Sequence, residues 1–334
     1  MGRKNIKQFI QIVISLGIAV WIFWFLYKDI AFDSLLDQVK SSNWAWILLS
    51  LSISMLAYLV RSWRWTLLID TEEGKQVSLT RAYHAVMIGN LVNMLIPRAG
   101  EVARCGVLTR TNGVSIGYLI GTVIVERSVD LLCLISIILL AFLVEKDLFL
   151  NLASQLVDLR FLWQIALSNL PIIIGGMAIL ALLIAYVLRR FRDNGLINKA
   201  QHFFREILSG FNRIGRLSNP AGFWISSILL WFFYFMTMYT ISLGIPSTAN
   251  LSSGEVLLVM VMGSIGMIAP VQGGIGTFHA LVAFILIQLG ISEVDGKIFA
   301  AIIHGTQVII VLVAGLVSWL IMMKLPSWTK PAEG

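Results

Sequence analysis

The sequence predicts an all-α polytopic membrane protein built as an inverted-topology repeat, with six full transmembrane helices and two re-entrant hairpins. Three observations carry this. Of 334 residues, 58% are hydrophobic and 13% charged, whereas about a quarter of a soluble domain is charged. Six apolar stretches, 9–27, 44–62, 116–144, 165–188, 222–243 and 298–323, approach or exceed the about 20 residues that cross a hydrocarbon core. Two further apolar stretches, 82–110 and 254–290, are interrupted by proline and glycine. The apolar runs are continuous rather than alternating, which excludes an outer-membrane barrel.

The elements follow in order. Arg3, Lys4 and Lys7 precede the first apolar run. That run is longer than a signal-peptide core and lacks an A-x-A cleavage pattern, so it reads as a retained helix. The two broken stretches share the pattern M-x-x-P-x-x-G. Pro97 aligns with Pro270, Met94 with Met267 and Gly100 with Gly273, at an offset of 173 residues.

Basic residues gather in four segments. These are the N-terminal tail, 61–81, 189–216 and the C-terminal tail with Lys324 and Lys330. Positive residues in short loops favour the cytoplasmic side. All four segments share one side only if each broken stretch enters and leaves on the same face, the first from the cytoplasm and the second from outside. The expected protein is a single membrane domain, 1–334. Its first half is 8–144 with a hairpin near 82–110, and its second is 165–323 with a hairpin near 254–290. The 189–221 segment is expected to be an amphipathic cytoplasmic linker. The loops expected between spans include 28–43.

Inverted repeats of this kind are common in secondary transporters, with the site between broken helices near the midplane. Irregular backbone at membrane depth must be buried in protein or line an aqueous cavity. The net charge of +7 is accounted for by topology and anionic headgroups, without nucleic acid. Cys105 and Cys133 are expected to be free.

Glu126, Arg127 and Asp130 interrupt the apolar run 116–144. A charge in a membrane helix costs about 2.5–3.5 kcal/mol on insertion scales unless paired or wet. The three share one helix side and sum to −1. One acid can neutralise Arg127, leaving the other for a proton, a cation or a substrate amine. A structural lock and a coupling or gating role are both open.

Arg98, Glu101 and Arg104 follow Pro97 at the first hairpin tip, with Asn93 before it. A helix N-terminus and two guanidinium forks suit a phosphate, and a positive-inside loop is the alternative. Arg61 and Arg64 stand beside Trp63 and Trp65, a pattern that fits boundary anchoring or headgroup capture. Gln272, Gly273, Gly274 and Gly276 at the second break fit an anion-cradling backbone or a tight helix break. His84, His279 and His304 read as separate structural imidazoles, and Gly113, Gly117 and Gly121 as a close-packing helix face.

An ordered set of motifs runs along the chain. It begins with Arg61-x-x-Arg64-Trp65 and Asn93-x-x-x-Pro97-Arg98-x-Gly100-Glu101-x-x-Arg104. It continues with Glu126-Arg127-x-x-Asp130 and Pro270-x-x-Gly273-Gly274-Ile275-Gly276. The set resembles the flippase-like membrane domain of lysylphosphatidylglycerol synthases, over residues 8–325. The resemblance implies a stand-alone member without the aminoacyl transferase domain. It further implies lipid translocation without synthesis, the lipid being a phospholipid or a polyprenyl-phosphate-linked one.

The expected function is therefore a lipid flippase of the cytoplasmic (inner) membrane, multi-pass, with both termini cytoplasmic. Its ligands are membrane lipids. The expectation leaves room for a separate lipid-modifying enzyme and for homo-oligomers as partners. Two alternatives stand beside it, a membrane enzyme or enzyme subunit acting on a lipid carrier and a scaffold of an envelope-synthesis complex. No Walker, Rossmann or H-E-x-x-H motif occurs, so no catalytic residue, metal or cofactor is expected.

Overall fold

The structure, a computed structural model, describes residues 17, 21, 24–28, 32–69, 77–150, 214–215, 217–269 and 271–326. The expected span at 165–188, most of the span at 9–27, most of the 189–221 linker and Pro270 lie outside the described residues.

The described residues form helices and no strand. The first labelled element is α1 (Phe32–Ser41), a ten-residue helix where a loop was expected. Leu35, Leu36 and Val39 recur at helical spacing on it, with Asp33 in its first turn and Lys40 in its last. Both charges complement the helix dipole. Then come α2 (Trp44–Ile69), α3 (Leu79–Leu95), α4 (Ala99–Asn112) and α5 (Ile116–Val144). After the undescribed stretch follow α6 (Pro220–Gly244), α7 (Ser253–Ile268), α8 (Thr277–Gln288) and α9 (Glu293–Lys324).

Helices α2, α5, α6 and α9 have 25 to 32 residues and are apolar enough to cross a membrane. The arms of the two broken stretches have 12 to 17 residues, too few to cross alone. Each pair of arms folds back on itself. Small residues permit the close approach. A Cβ on Gly89 would sit 2.8 Å from the Gly100 carbonyl, and one on Gly266 would sit 2.7 Å from Phe278 Cα. The first break spans Ile96–Arg98, with Arg98 in the left-handed region at φ 63°. The second is longer, holds a 3-10 turn at Gln272–Gly274, and has Gly273, Gly274 and Gly276 at φ 56°, 73° and 88°. Only glycine adopts such angles without strain.

The order long helix, hairpin, long helix occurs on both sides of the undescribed stretch. Shifting α3 by 173 residues puts it at 252–268, on α7. Both helices carry a serine N-cap, Ser78 and Ser252. Helices α2 and α6 pack antiparallel along most of their length. Asn43 N–H donates to Gly244 O at 2.7 Å and Ser50 Oγ to Thr237 O at 2.9 Å. Arg64 Nη1 reaches Ser227 Oγ at 3.5 Å. Helix α9 brings Gln307 Nε2 to Ser54 Oγ at 2.8 Å, one of the interhelical hydrogen bonds that hold membrane helices together.

The halves also interlock. Helix α9 runs against α3, with His84 Nδ1 3.0 Å from Ser318 Oγ and Gly315 against Leu91 and Met87. Correspondingly, the end of α5 at Val144 and Glu145 meets Gly254 at the start of α7. The large apolar faces of α5 and α9, such as Leu131, Leu139, Val313 and Leu320, are exposed, as lipid-facing surfaces are. Gly113 is the left-handed C-cap of α4 at φ 68° rather than part of a packing face. A Cβ at Gly121 would meet nothing within 4 Å among the described residues. Cys105 and Cys133 are free.

Candidate functional site

Helix α2 presents Arg61, Arg64 and Trp65 on one face, since residues three and four apart are neighbours. Helix α4 brings Arg104 toward that face, and the Gly89–Gly100 approach fixes its distance from α3. Helix α5 contributes Glu126, Arg127 and Asp130. The result is a cluster of ion pairs among three helices.

Glu126 is the centre and is fully buried. Its carboxylate accepts from Arg61 at 3.2 Å and from Arg104 at 2.9 Å, with Arg64 at 3.5 Å. Arg64, also fully buried, lies 2.7 Å from Asp130. Arg127 pairs with Glu101 at 2.8 Å and with Asp130 at 3.6 Å. The Arg104 guanidinium lies 4.4 Å from the centroid of the Trp65 ring, a cation–π contact. Trp65 in turn donates from Nε1 to Thr122 Oγ1 at 3.0 Å.

This arrangement corrects the expected charge balance. The three charges of α5 alone sum to −1, with Arg127 as the neutralising cation. In the folded chain Arg61, Arg64 and Arg104 arrive from other helices. Four arginines face Glu101, Glu126 and Asp130, and the cluster sums to +1. Arg127 does not pair with Glu126, because successive helix residues do not face each other. Arg64 and Trp65 are fully buried, so they are not boundary anchors.

A recess opens beside the cluster, lined by Arg61, Asn90, Asn93, Glu101, Arg104 and Arg127. Among the described residues, Arg104 Nε and Nη1, Asn90 Nδ2 and Glu101 Oε2 are buried without a hydrogen-bond partner. Buried polar groups are ordinarily bonded. The recess therefore offers mainly donors, on a positively charged wall. Asn93 is committed otherwise, since its Oδ1 accepts from Gly100 N–H at 2.7 Å and so caps α4 from across the hairpin.

Arg98 stands apart. It is exposed at the first hairpin tip, and its Nη2 donates to Ile268 O at 3.4 Å. That bond joins the first tip to the second break. Gln272 is buried there, and the Gln272–Gly274 turn packs against α3. Gln272, Gly273, Gly274 and Gly276 do not line the charged recess. The tips thus meet each other, while the charge sits to one side of the meeting point.

Two features escape a sequence reading. Asn90 lies one turn from Asn93, an amide spacing in an apolar helix that could have flagged it. His279 and His304 are not separate imidazoles. Their rings stack at 4.7 Å between centroids and 26° between planes. Their separation of 25 positions in sequence gives no sign of this.

The fold and the buried ionised cluster define a polytopic membrane protein with a charged interior. The chain belongs to the family of the lysylphosphatidylglycerol synthase TM region, whose model matches residues 12–315. No curated protein matches the chain, and no solved structure does. The family makes it a membrane protein related to lipid modification or flipping.

Proposed function

We propose that this protein is a flippase of the cytoplasmic membrane that moves lipids with an anionic headgroup, a phospholipid or a polyprenyl-phosphate-linked lipid. The observation that carries the reading is the net positive, buried cluster with unpartnered Arg104 donors facing a recess beside a broken helix pair. A phosphate oxygen matches a guanidinium fork, and a single anionic charge balances the cluster. Acyl or prenyl tails would stay in the bilayer against the apolar flanks.

The antiparallel pairing of α2 with α6, and the exchange of contacts between α3–α9 and α7–α5, support two halves of inverted topology, as transporters use for alternating access. The basic N-terminal, 189–216 and C-terminal segments support cytoplasmic termini. Each acid of the cluster is engaged by an arginine, which favours transport over acid–base chemistry on a lipid carrier.

Reconstituted vesicles test the reading. Fluorescent anionic, aminoacylated and polyprenyl-phosphate lipids are placed in one leaflet, and their arrival in the other is followed by quenching. Transport of at least one anionic lipid should fall about tenfold or more in Arg104→Gln, the loss of a charged hydrogen bond worth about 1.5–3 kcal/mol. Lys146→Gln, at an exposed site beyond α5, should leave it unchanged. No movement of any of these lipids by the wild-type protein would end the proposal.

A further inference from the structure

The headgroup recess carries one atom that a bare phosphate diester cannot satisfy. Among its lining side chains, Arg104 Nε and Nη1 and Asn90 Nδ2 are buried donors without a hydrogen-bond partner. Glu101 Oε2 is a buried acceptor without one. The donors suit an anion. The carboxylate oxygen repels an anion and needs a donor instead. Buried polar groups are ordinarily bonded, so a ligand that completes this recess brings both an acceptor and a donor.

The two poles are close together and fixed. Glu101 and Arg104 lie three residues apart on α4, so they are neighbours on one helix face, about 5–6 Å apart at Cβ. Each is held by a different partner. Arg104 gives Nη2 to Glu126 at 2.9 Å and lies over the Trp65 ring at 4.4 Å. Glu101 gives Oε1 to Arg127 at 2.8 Å. The remaining atoms, Oε2 on one side and Nε and Nη1 on the other, do not bond to each other. The Arg104 side chain is 4% exposed, so bulk solvent does not serve its free N–H groups. Asn90 adds its amide from α3, beside the close approach of Gly89 to Gly100.

Charge decides which kind of donor fits. The cluster sums to +1. A phosphodiester with a neutral headgroup brings it to zero, whereas a zwitterion leaves it at +1. An ammonium also brings several N–H donors, and Glu101 Oε2 is the one unpartnered buried side-chain acceptor among the described lining residues. Arg104 and Arg127 would stand beside the added cation. A hydroxyl donates one hydrogen bond and adds no charge.

We propose that Glu101 is a specificity-determining residue of this recess, accepting through Oε2 a hydrogen bond from a headgroup hydroxyl. The site then takes anionic phosphodiester lipids that carry a hydroxyl a few carbons beyond the phosphate, as glycerol, inositol and sugar headgroups do. This rests on the headgroup reading of the recess. The phosphate lies on Arg104 and Asn90 and the hydroxyl on Glu101. Arg127 holds the other carboxylate oxygen and keeps Glu101 from closing onto Arg104. A phosphodiester capped by a plain alkyl group would leave Oε2 buried and unbonded, the costly half of a hydrogen bond.

Phosphatidylglycerol and phosphatidylpropanol make the test, since they share charge and tails and differ in the hydroxyls. Both are titrated against the full-length protein in detergent, and the bound fractions are counted by native mass spectrometry. The same lipids, labelled on an acyl chain, are followed in reconstituted vesicles. The wild type should favour phosphatidylglycerol about tenfold or more in affinity, the weight of a hydrogen bond to a charged group. Phosphatidylethanolamine should bind no more tightly than phosphatidylpropanol. In Glu101→Gln the ratio of the two phosphodiesters should fall to about threefold, the weight of a neutral hydrogen bond, because the lost negative charge favours both anions alike. Glu101→Asp keeps the charge and draws the carboxylate back by one carbon. Its ratio should fall as well, and it decides the matter if Glu101→Gln does not fold.

Equal affinity for the two phosphodiesters in the wild type, a preference undiminished in the variants, or tighter binding of phosphatidylethanolamine than of phosphatidylglycerol overturns the proposal. The expected preference in a protein that moves neither lipid upholds the role of Glu101 and overturns the flippase reading. Movement of both phosphodiesters without preference overturns the role of Glu101 and leaves the flippase reading standing. Binding of none of these lipids overturns the role of Glu101 together with the headgroup reading of the recess.

Discussion

Glu126→Gln is the sharpest probe of the charged cluster. The substitution keeps the size of the side chain and removes one charge. In the wild type the carboxylate faces Arg61, Arg64 and Arg104 at 3.2, 3.5 and 2.9 Å and is fully buried. The cluster then moves from +1 to +2, with four arginines facing two acids. Breaking a buried ion pair by removing one partner costs about 3–5 kcal/mol. That is a large part of the about 5–15 kcal/mol that holds a typical folded protein. Glutamine still accepts one hydrogen bond, so the lower part of the range is expected, and Glu126→Asp, shorter but charged, should fall between it and wild type. Reversible unfolding in mixed micelles reads the change. A loss below about 1 kcal/mol, the size of an exposed pair, would refute the claim that Glu126 organises these arginines.

Further outcomes follow from the same geometry. Arg64→Ala should destabilise by about 3–5 kcal/mol in the same unfolding measurement, since Arg64 is fully buried against Asp130 and Glu126. Arg127→Ala should cost about 1 kcal/mol or less, because its side chain is 44% exposed; equal losses would contradict this ranking. Arg98→Gly should keep the fold, because glycine accepts the φ of 63°, yet slow anionic lipid movement in vesicles. Arg98→Ala should both slow transport and lower the unfolding midpoint, and a midpoint as high as that of Arg98→Gly would show that the tip is unstrained. Single cysteines at Arg3 and Lys330 should resist impermeant reagents in intact cells while Asp147→Cys is labelled. The reverse pattern would invert the orientation.

The architecture was readable wherever a local rule decided it. Proline and glycine in apolar stretches marked both hairpins, and the serine N-caps at 78 and 252 lie within one residue of the 173-residue offset. Helix α1 was missed because ten amphipathic residues of low mean hydropathy vanish in a window sized for a membrane span. In the site, Glu126, Arg127 and Asp130 were visible as costly charges in an apolar run, while Arg61 and Arg64 read as a helix boundary and Glu101 and Arg104 as a hairpin tip. The pairings among them were not visible. Glu126 is 22 residues from Arg104 and 65 from Arg61, and only the packing of α4 and α2 against α5 brings them together. The sign of the cluster changed for that reason, because a sum over one helix omits charges that tertiary structure delivers. The His279–His304 stack is hidden likewise, because only the packing of α8 against α9 brings the two rings together.

The two halves share an order of helices and differ in what fastens their hairpins, and the difference bears on how a flippase could work. The first hairpin is tied to α2 and α5 through Arg104 and Glu101, which join the buried ion pairs. Moving it would strand buried charges, at several kcal/mol each. Within the second hairpin tip the hydrogen bonds at Gly274, Ile275, Gly276 and Thr277 are neutral, each worth about 0.5–1.5 kcal/mol, and they surround three glycines of positive φ. In the transport reading the first half is the post that holds the headgroup, and the second half supplies the part that moves. Arg98, through its single long bond to Ile268 O, is the contact through which an occupied headgroup site would be felt at the second break. Arg98→Gly should therefore uncouple the two, so that labelling of Val271→Cys by an impermeant thiol reagent no longer responds to an added anionic lipid. A lipid response that survives in Arg98→Gly would place the communication elsewhere, along the packing of the Gln272–Gly274 turn on α3.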